Sequence, residues 1–413
     1  MTRILWVGDA GSTTGFSRVT HAIAERLVTD YGHDVSVIAV GFDGRQPYNG
    51  PLKLYGASGP RPDQMTGFDR MRELLELLEP QVVITLEDPP AVVARLGRNP
   101  RDGGGGVRWI PGLFATGPWR RISYLPVDGV GFPPEWRRLP DFVEQVAMTK
   151  FGALQLGTDH VVYHGIDEDI FYPVSRSRPI EVPGRTLRSK SDCRDYFGVP
   201  NDMFVIGRID TNSSRKDWGS TWRAIEWAWP DLPKPAMGMF HTKLRNSSGG
   251  MNLEALLARG KATFRVTENR YSSSQLAAYI NCWDVAISTS RGEGFGLGSA
   301  EALACAVPVL GPKHSAFPEV VGPGGVLVEP ATVHTSSYGH DQWVVDWKAM
   351  AEALVALGRS ETERKSLGMA GLEHIRSIAS WDRAARQFDD LIEARSERPT
   401  DAGQEQRDHP VQV

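Results

Sequence analysis

Residues 291–301 read Arg-Gly-Glu-Gly-Phe-Gly-Leu-Gly-Ser-Ala-Glu and place two carboxylates, Glu293 and Glu301, around a glycine-rich turn. The glycines allow the backbone to pass close to a ligand, and a helix predicted to begin near Leu297 offers unpaired N–H groups to an anion. Because two like charges would repel phosphate, the carboxylates are better suited to accept hydrogen bonds from sugar hydroxyls. The stretch therefore predicts a ligand with phosphate in the middle and a sugar on either side.

Short apolar runs alternate with helical patterns along the chain, which is typical of βαβ units on parallel sheets. In the first half the pattern predicts strands at 4–8, 35–40, 81–86, 107–110, 122–127, 144–148 and 160–163, and helices at 16–31 and 71–78. The polar stretch 175–190 is predicted to be a linker or a surface excursion. After it, strands are predicted at 204–208, 236–240, 263–266, 285–289, 307–310 and 325–328, and helices at 218–229, 253–258, 274–281, 297–304, 347–357, 361–378 and 381–393. The fold class is therefore α/β, with two doubly wound domains.

The composition sets limits on the class of protein. A chain of 413 residues with 41% hydrophobic content is long enough for two cores. The net charge of −4 gives no overall attraction to nucleic acid or to an anionic membrane. Its three cysteines, Cys193, Cys282 and Cys305, lie far apart and lack metal-ligand spacing. Since no apolar run approaches the ~18 residues of a membrane span, we expect a cytoplasmic protein with no membrane span.

The spacing of the two glutamates resembles the E-x7-E element of retaining GT-B glycosyltransferases, in particular the large GT4 family. Other segments resemble the family's motifs in the same order: the glycine loop 11–15, the hinge segment 163–173, Gly207-Arg208 followed by Lys216, and the run 302–309. The resemblance covers residues 3 to about 388. It implies two Rossmann-like domains facing a central cleft, with an acceptor-side domain at 1–172, a nucleotide-sugar-binding domain at 173–378, a helix crossing back at 379–395 and a polar tail at 396–413.

The resemblance also implies a role for each motif residue. In the family the second glutamate binds the nucleotide ribose and the first binds the transferred sugar, which assigns Glu301 and Glu293. Negative charge develops on the leaving phosphate, so Arg208 and Lys216 are the predicted catalytic cations, in place of a metal. The remaining predicted donor-binding residues are Gly11, Gly15, Gly294, Phe295, Gly296, Leu297, Gly298 and Asn269. The expected activity is retaining transfer from a UDP- or GDP-linked sugar without a cofactor.

The acceptor side is open to more than one interpretation. Asp128 ends a predicted strand, where α/β sheets place ligand-facing residues, and is the predicted acceptor-side catalytic carboxylate. It is equally well suited to holding the turn 129–134. The stretch 95–150 carries a series of basic and aromatic residues, Arg98, Arg101, Arg108, Arg120, Arg121, Arg137, Arg138, Trp109, Trp119 and Trp136. It fits a solvated surface over core tryptophans, or an anionic acceptor such as a hydroxylated DNA base, a phospholipid head group or an anionic glycan.

Several positions depart from the family pattern or suggest another class. Ala306 replaces a glycine, and the segment 314–316 stands where a Gly-Gly turn often contacts phosphates, so the donor affinity or identity is expected to differ. His164 replaces an asparagine and is expected to be a structural residue at the hinge. The acidic run 167–169 matches the hinge segment rather than a metal motif. A DNA-modifying transferase and a sugar-nucleotide-binding protein without transferase activity remain alternatives.

Overall fold

The computed structural model describes residues 1–11, 14–42, 48–57, 68–98, 110–111, 113–245 and 249–394. Within these residues the chain forms two six-stranded parallel sheets, each flanked by helices. The α/β class with two doubly wound domains is therefore confirmed. In the strands of both sheets, runs of consecutive residues are buried, because helices cover the two faces of a parallel sheet.

The first domain is built on strands β1 (Arg3–Asp9), β2 (Asp34–Val40), β3 (Lys53–Gly56), β4 (Val82–Leu86), β7 (Arg120–Leu125) and β8 (Glu144–Ala147). Their order in the sheet is β3-β2-β1-β4-β7-β8, and all neighbours are parallel. Five helices accompany them: α1 (Gly15–Thr29), α2 (Phe68–Leu78), α3 (Pro89–Leu96), α4 (Leu113–Thr116) and α5 (Lys150–Leu156). A two-stranded pair, β5 (Gly97–Arg98) and β6 (Ile110–Pro111), and a 3-10 helix (Trp136–Asp141) complete the domain.

The second domain repeats the arrangement with β11 (Phe204–Ile209), β12 (Ala236–His241), β13 (Phe264–Thr267), β14 (Val285–Ile287), β15 (Val309–Pro312) and β16 (Gly325–Val328). Their order is β13-β12-β11-β14-β15-β16. The helices are α6 (Lys190–Phe197), α7 (Trp218–Ala228), α8 (Leu253–Leu257), α9 (Ser273–Asn281), α10 (Leu297–Ala304), α11 (Phe317–Val321), α12 (Trp347–Arg359) and α13 (Glu361–Ile378). Three 3-10 helices lie at Ser214–Lys216, Trp229–Asp231 and Gly322–Gly324. Two antiparallel hairpins are added, β9 (Ile180–Val182) with β10 (Arg185–Leu187), and β17 (Pro330–Thr335) with β18 (Asp341–Val345).

The last described helix, α14 (Trp381–Glu393), packs back on the first domain against α1. Phe388 lies between Trp6 and Tyr124, with ring centroids 5.8 and 5.1 Å away. Oδ1 of Asp389 lies 2.7 Å from Nε2 of His33, the residue before β2. Among the described residues, no helix combines the length and the apolar character that a bilayer span needs.

Two sequence predictions need correction, and one hairpin was missed. Residues 160–163 form no strand, and only Val161 makes an isolated bridge, to Ala147. The predicted linker 175–190 contains the hairpin β9–β10, whose strands have only three residues each, too short to give a strand pattern. The hairpin β17–β18 was not predicted, because the residues of β17 are mostly exposed and so lack a buried apolar run. Most of the predicted strand 107–110 and all of the polar tail 396–413 lie outside the described residues.

Candidate active site

A cavity opens at the carboxyl edge of the second sheet, where β11 and β14 end and α10 begins. Its volume is about 350 Å³, including the space open to solvent. The cavity brings together five of the residues that the sequence assigned to the site, Arg208, Lys216, Glu293, Gly296 and Gly298, and eight others, Gly207, Ile209, Asp210, Trp283, Ala286, Ile287, Ser288 and Ser299. In open α/β sheets this edge is where ligands bind.

The turn into α10 requires its glycines. Gly296 has a φ of 93°, a left-handed conformation that residues with a Cβ rarely adopt. A Cβ on Gly298 would come within 2.9 Å of the Ile209 carbonyl oxygen at the end of β11. These glycines therefore bring the first turn of α10, with its unpaired N–H groups, to the wall of the cavity.

Arg208 is fixed at the back of the cavity. It is 2% exposed, and its guanidinium donates hydrogen bonds to Thr289 at 3.0 Å and to Asp210 at 2.9 and 3.1 Å. The guanidinium carbon also lies 4.2 Å from the centre of the Trp218 ring. Asp210 in turn pairs with the Lys216 ammonium at 2.5 Å. Arg208 thus helps to orient the carboxylate that holds Lys216.

Glu293 lies between two cations. Its Oε1 is 2.5 Å from the Lys216 ammonium, and its Oε2 is 2.9 Å from Nη1 of Arg215. Burial favours a raised pKa for Glu293, but Arg215 and Lys216 outweigh it and hold this pKa well below its ordinary value. The backbone N–H of Glu293 donates to the Ser315 hydroxyl at 3.1 Å. Glu293 is therefore ionised and fixed in the site. The sequence did not indicate Arg215, because nothing in a single chain separates it from other surface arginines.

The first domain supplies the cation that pairs with Glu301. Glu301 is 1% exposed, and its Oε1 pairs with the guanidinium of Arg18 on α1. The other oxygen, Oε2, has no hydrogen-bond partner among the described residues. Burial raises the pKa of Glu301, and Arg18 opposes that rise. A buried acceptor atom without a partner is what a ribose hydroxyl would need. Arg18, which lies just after the glycine loop 11–15, was assigned no role from the sequence.

Gly15, one of the predicted donor-binding glycines of the first domain, approaches the same region. A Cβ on Gly15 would lie 3.2 Å from Cδ1 of Leu297, so the start of α1 faces the start of α10 across the cleft. A Cβ on Gly11 would lie 2.4 Å from the Phe42 backbone, so Gly11 packs tightly on the chain after β2. Asn269, by contrast, is exposed after β13 and does not line the cavity.

Asp128 joins the two domains. Oδ1 is 2.9 Å from Nε2 of His340, and Oδ2 accepts a hydrogen bond of 2.9 Å from the Gln342 amide. Oδ2 also lies 3.4 Å from Nε of Arg215. His340 and Gln342 belong to the unpredicted hairpin and its turn, so the sequence did not reveal them. The carboxylate thus connects the end of β7 to β18. Such contacts resemble the second interpretation from the sequence, in which Asp128 holds a neighbouring segment in place. The segment that it contacts is the hairpin β17–β18 rather than the turn 129–134.

Arg120 and Arg121 of the stretch 95–150 form contacts that hold the fold together. Arg120 donates to three carbonyl groups at the end of α14, at 2.9 to 3.0 Å, and pairs with Glu144 at 2.7 Å. Arg121 donates to the Phe142 carbonyl at 2.8 Å. Trp119 and Trp136 are buried, and Arg101, Arg108 and Trp109 lie outside the described residues. The guanidinium groups of Arg120 and Arg121 are therefore already engaged and are not free to bind an anionic acceptor.

His164 lies where both domains and α14 meet. Its ring is 4.8 Å from that of Phe295 and 5.5 Å from that of Tyr124, and it stacks on Trp381 at 5.9 Å. Burial lowers the pKa of His164 to about 3, so the ring is neutral at physiological pH. His164 thus packs against Phe295 of the segment 291–296, called the donor loop below, and neither side chain lines the cavity.

One cluster of side chains in the described residues has the composition of a metal site. His33, Asp389 and Glu393 place their ligand atoms within 4.8 Å of one another. However, Nδ1 of His33 faces the backbone N–H of Thr2 at 3.3 Å, and Nε2 faces Asp389 at 2.7 Å. Both ring nitrogens are thus engaged, at the edge of the first sheet away from the cleft. The cluster is explained as an attachment of α14.

Comparison with known proteins identifies the fold. Sucrose-phosphate synthase from Thermosynechococcus elongatus superposes with a TM-score of 0.69 at 15% identity, over 95% of this chain and 98% of that one. HepE from Anabaena, in complex with UDP-glucose, superposes with a TM-score of 0.64 at 14% identity, over 95% and 99%. The chain has the GT-B glycosyltransferase fold. Its second domain carries the sequence signature as well, because residues 241–358 match the family model described as Glycosyl transferases group 1.

A curated relative gives a similarity in sequence. The MMP alpha-(1->4)-mannosyltransferase of Mycolicibacterium hassiacum is 33% identical over 234 residues, which are 55% of this chain and 46% of that protein. The match thus spans about half the length of the relative. The resemblance stated from the E-x7-E element is confirmed at the level of the GT-B fold and the group 1 domain.

Proposed function

We propose that this protein is a retaining glycosyltransferase, which moves a sugar from a nucleotide-diphosphate sugar to an acceptor hydroxyl without a metal. One observation carries the proposal: Lys216 and Arg215 lie against the buried, ionised Glu293, directly beside the start of α10. Such an arrangement supplies positive charge for a leaving diphosphate and a carboxylate for sugar hydroxyls in one cavity.

The chemistry follows from these groups. The bond between the anomeric carbon and the diphosphate oxygen breaks, and the acceptor oxygen forms a new bond to that carbon. Negative charge then grows on the leaving diphosphate, where Lys216, Arg208 and the N–H groups of α10 stabilise it. The acceptor's proton passes to the leaving phosphate oxygen on the same face, so retention requires no separate protein base. In this scheme Glu301 binds the ribose through Oε2.

The donor is proposed to carry a hexose on UDP or GDP. The similarity to a mannosyltransferase supports a mannosyl group, and HepE is a neighbour of the same fold that binds UDP-glucose. The segment 314–316 differs from the family's Gly-Gly turn, and here the Ser315 hydroxyl holds the backbone of Glu293. The sugar pocket therefore differs from the family pattern at the segment 314–316, and the donor panel below measures its preference among hexoses.

The alternatives receive less support from the site. Glycosylation of a hydroxylated DNA base needs free cations for phosphates, whereas Arg120 and Arg121 are engaged with carbonyl groups. A binding protein without activity would not need to retain the network of Arg208, Lys216 and Glu293. The GT-B fold alone does not decide between these classes, because one fold serves several functions.

A donor panel tests the proposed function. The protein is incubated with UDP-, GDP- and ADP-linked glucose and mannose, and nucleotide release and donor-induced thermal shift are measured with and without acceptors. We expect release with at least one donor and its loss in Lys216→Ala, with Lys261→Ala, an exposed lysine of the same domain, as the matched control. If no donor shifts the melting temperature and none is hydrolysed or transferred, the protein is not a transferase of this kind.

A further inference from the structure

A second carboxylate, Asp88, lies at the acceptor-side edge of the cleft. It follows β4, and β4 pairs in parallel with β7, with Leu86 opposite Tyr124. Asp88 follows β4 and Asp128 follows β7, and neighbouring parallel strands end at the same edge of a sheet. Both residues therefore lie at the edge of the first sheet that faces the second domain. Asp88 could not be selected from the sequence, since an acidic residue before two prolines is usually part of a turn.

The donor loop packs directly on this edge. A Cβ on Gly292 would come 1.7 Å from the Asp128 carbonyl oxygen, and one on Gly294 would come 2.8 Å from Cβ of Pro126. Only glycines therefore allow the two backbones to approach so closely. Glu293, between these glycines, is therefore next to the segment that follows β7, and Asp88 follows the neighbouring strand β4. A group bound at Asp88 is thus beside the place where we expect the transferred sugar.

The hairpin β17–β18 forms the wall of this space. Val130 and Asp341 exchange two backbone hydrogen bonds of 2.9 and 2.8 Å across the domains. The His340 ring lies 5.0 Å from that of Trp136, and the backbone N–H of Trp343 donates to the Arg291 carbonyl at 2.9 Å. The hairpin is therefore attached both to the first domain and to the donor loop, beside Asp128.

Asp88 differs from its acidic neighbours in being available. Asp128 is engaged by the hairpin and Arg215, and Glu87 is paired with Arg95. The carboxylate of Asp88 makes no hydrogen bond or ion pair with any other described residue; its backbone carbonyl, not its side chain, accepts the bonds at the start of α3. The side chain is exposed, although crowding by the surrounding protein raises its pKa, while Arg215 lies close enough to lower it.

The charges beside Asp88 also indicate the class of acceptor. The cations near it are committed, Arg215 to Glu293 and Asp128, and Arg95 to Glu87. An anionic group would therefore meet an accessible carboxylate without a free cation to balance it. Hydroxyl groups, which donate to a carboxylate, fit this position.

We propose that Asp88 binds the acceptor, accepting hydrogen bonds from its hydroxyls, and that the acceptor is a neutral carbohydrate. This inference rests on the proposed glycosyltransferase function and deepens it. Asp128 is then a positioning residue, which holds the hairpin wall through His340 and Gln342 and does not itself contact the acceptor. The proton of the reacting hydroxyl still goes to the leaving phosphate, so Asp88 orients the acceptor and is not consumed in the reaction.

The test compares Asp88→Asn and Asp88→Ala with Asp159→Asn, an exposed aspartate of the same domain. Acceptors are D-glucose, D-mannose, methyl α-D-glucoside, trehalose, D-glucuronate, glucose 6-phosphate and a short DNA strand with 5-hydroxymethylcytosine. We expect transfer to a neutral sugar, and a 10- to 100-fold lower kcat/KM for that sugar in both Asp88 variants, as for the loss of a hydrogen bond to a charged group. Donor thermal shift and acceptor-independent donor hydrolysis should stay unchanged.

The outcomes separate this inference from the proposed function. If the wild type neither binds nor hydrolyses any donor, both fall together. If the wild type transfers sugar but the Asp88 variants match Asp159→Asn in acceptor kinetics, the role of Asp88 is wrong and the function stands. Preferred transfer to an anionic acceptor, or faster transfer to it by Asp88→Asn, would overturn the acceptor class. Because Asp88 is exposed, its variants should keep the wild-type melting temperature.

Discussion

The burial of His164 predicts a loss of stability in acid that a phenylalanine at this position would remove. The ring is 3% exposed and surrounded by aromatic side chains from both domains and α14. Neither ring nitrogen has a hydrogen-bond partner among the described residues. Burial lowers the pKa of His164 to about 3, and the charge of Arg18 acts in the same direction.

The sign and size of the change in the free energy of unfolding follow from the number of protons that each state binds. At pH 5 an unfolded histidine, with a pKa of about 6.5, is mostly protonated, while folded His164 is not. The unfolded state binds more protons, so the stability due to His164 is present above pH 6.5 and falls as the pH drops toward 3. Each pH unit in this window costs about 1.4 kcal/mol, which gives about 2 kcal/mol between pH 7.5 and 5.0.

The measurement is urea unfolding of the wild type and His164→Phe at pH 7.5 and 5.0, followed by far-UV circular dichroism. The wild type should lose about 2 kcal/mol more free energy of unfolding than the variant over this range. His334→Phe, at an exposed position of the hairpin, should lose as much as the wild type. Equal losses in the wild type and His164→Phe, within about 0.5 kcal/mol, would refute the buried neutral histidine.

Four further predictions concern the donor site. Lys216→Ala should lower kcat by about 10²-fold or more in steady-state assays, because the leaving diphosphate loses a fixed cation. Glu301→Ala should raise the donor KM by about tenfold or more, with a smaller change in kcat, because the ribose loses its acceptor atom. Glu293→Gln removes one of the two carboxylates beside Arg215 and one of the two beside Lys216, so both the transfer rate and the thermal melting temperature should fall. EDTA should leave the initial rate unchanged, since protein cations and helix N–H groups are proposed to replace a metal; a loss restored by Mg²⁺ would contradict this.

The donor half of the site was predictable because its elements are local. The helix α10 spans Leu297–Ala304, as its glycines and apolar run predicted. Arg208 lies near the end of the buried strand β11 and Lys216 follows it, and parallel strands carry such residues to one edge of the sheet. A short sequence thus sets the turn, the start of the helix and the carboxylates together. The sequence pattern did not predict that Asp210 holds Lys216 against Glu293.

The acceptor half was not predictable because its contacts are distant in sequence. Asp128 and His340 are 212 residues apart, and the hairpin that joins them has a largely exposed first strand. Because β17 lacks a buried apolar run, its sequence predicts neither a strand nor the segment with which it pairs. The basic stretch was ambiguous for the same reason: Arg120 binds carbonyl groups at the end of α14, more than 270 residues later. Charge in a sequence does not show which partner satisfies it.

The contacts across the cleft explain why neither domain contains the whole site. Glu301 belongs to the second domain, but the cation that balances its buried charge, Arg18, belongs to the first. Asp128 belongs to the first, but its partners His340 and Gln342 belong to the second. Separating the domains would leave Glu301 without its ion pair, which is costly for a buried carboxylate. The carboxylate proposed to bind ribose therefore has its charge balanced by a cation of the other domain, and we expect donor binding to stabilise the contact between the two domains.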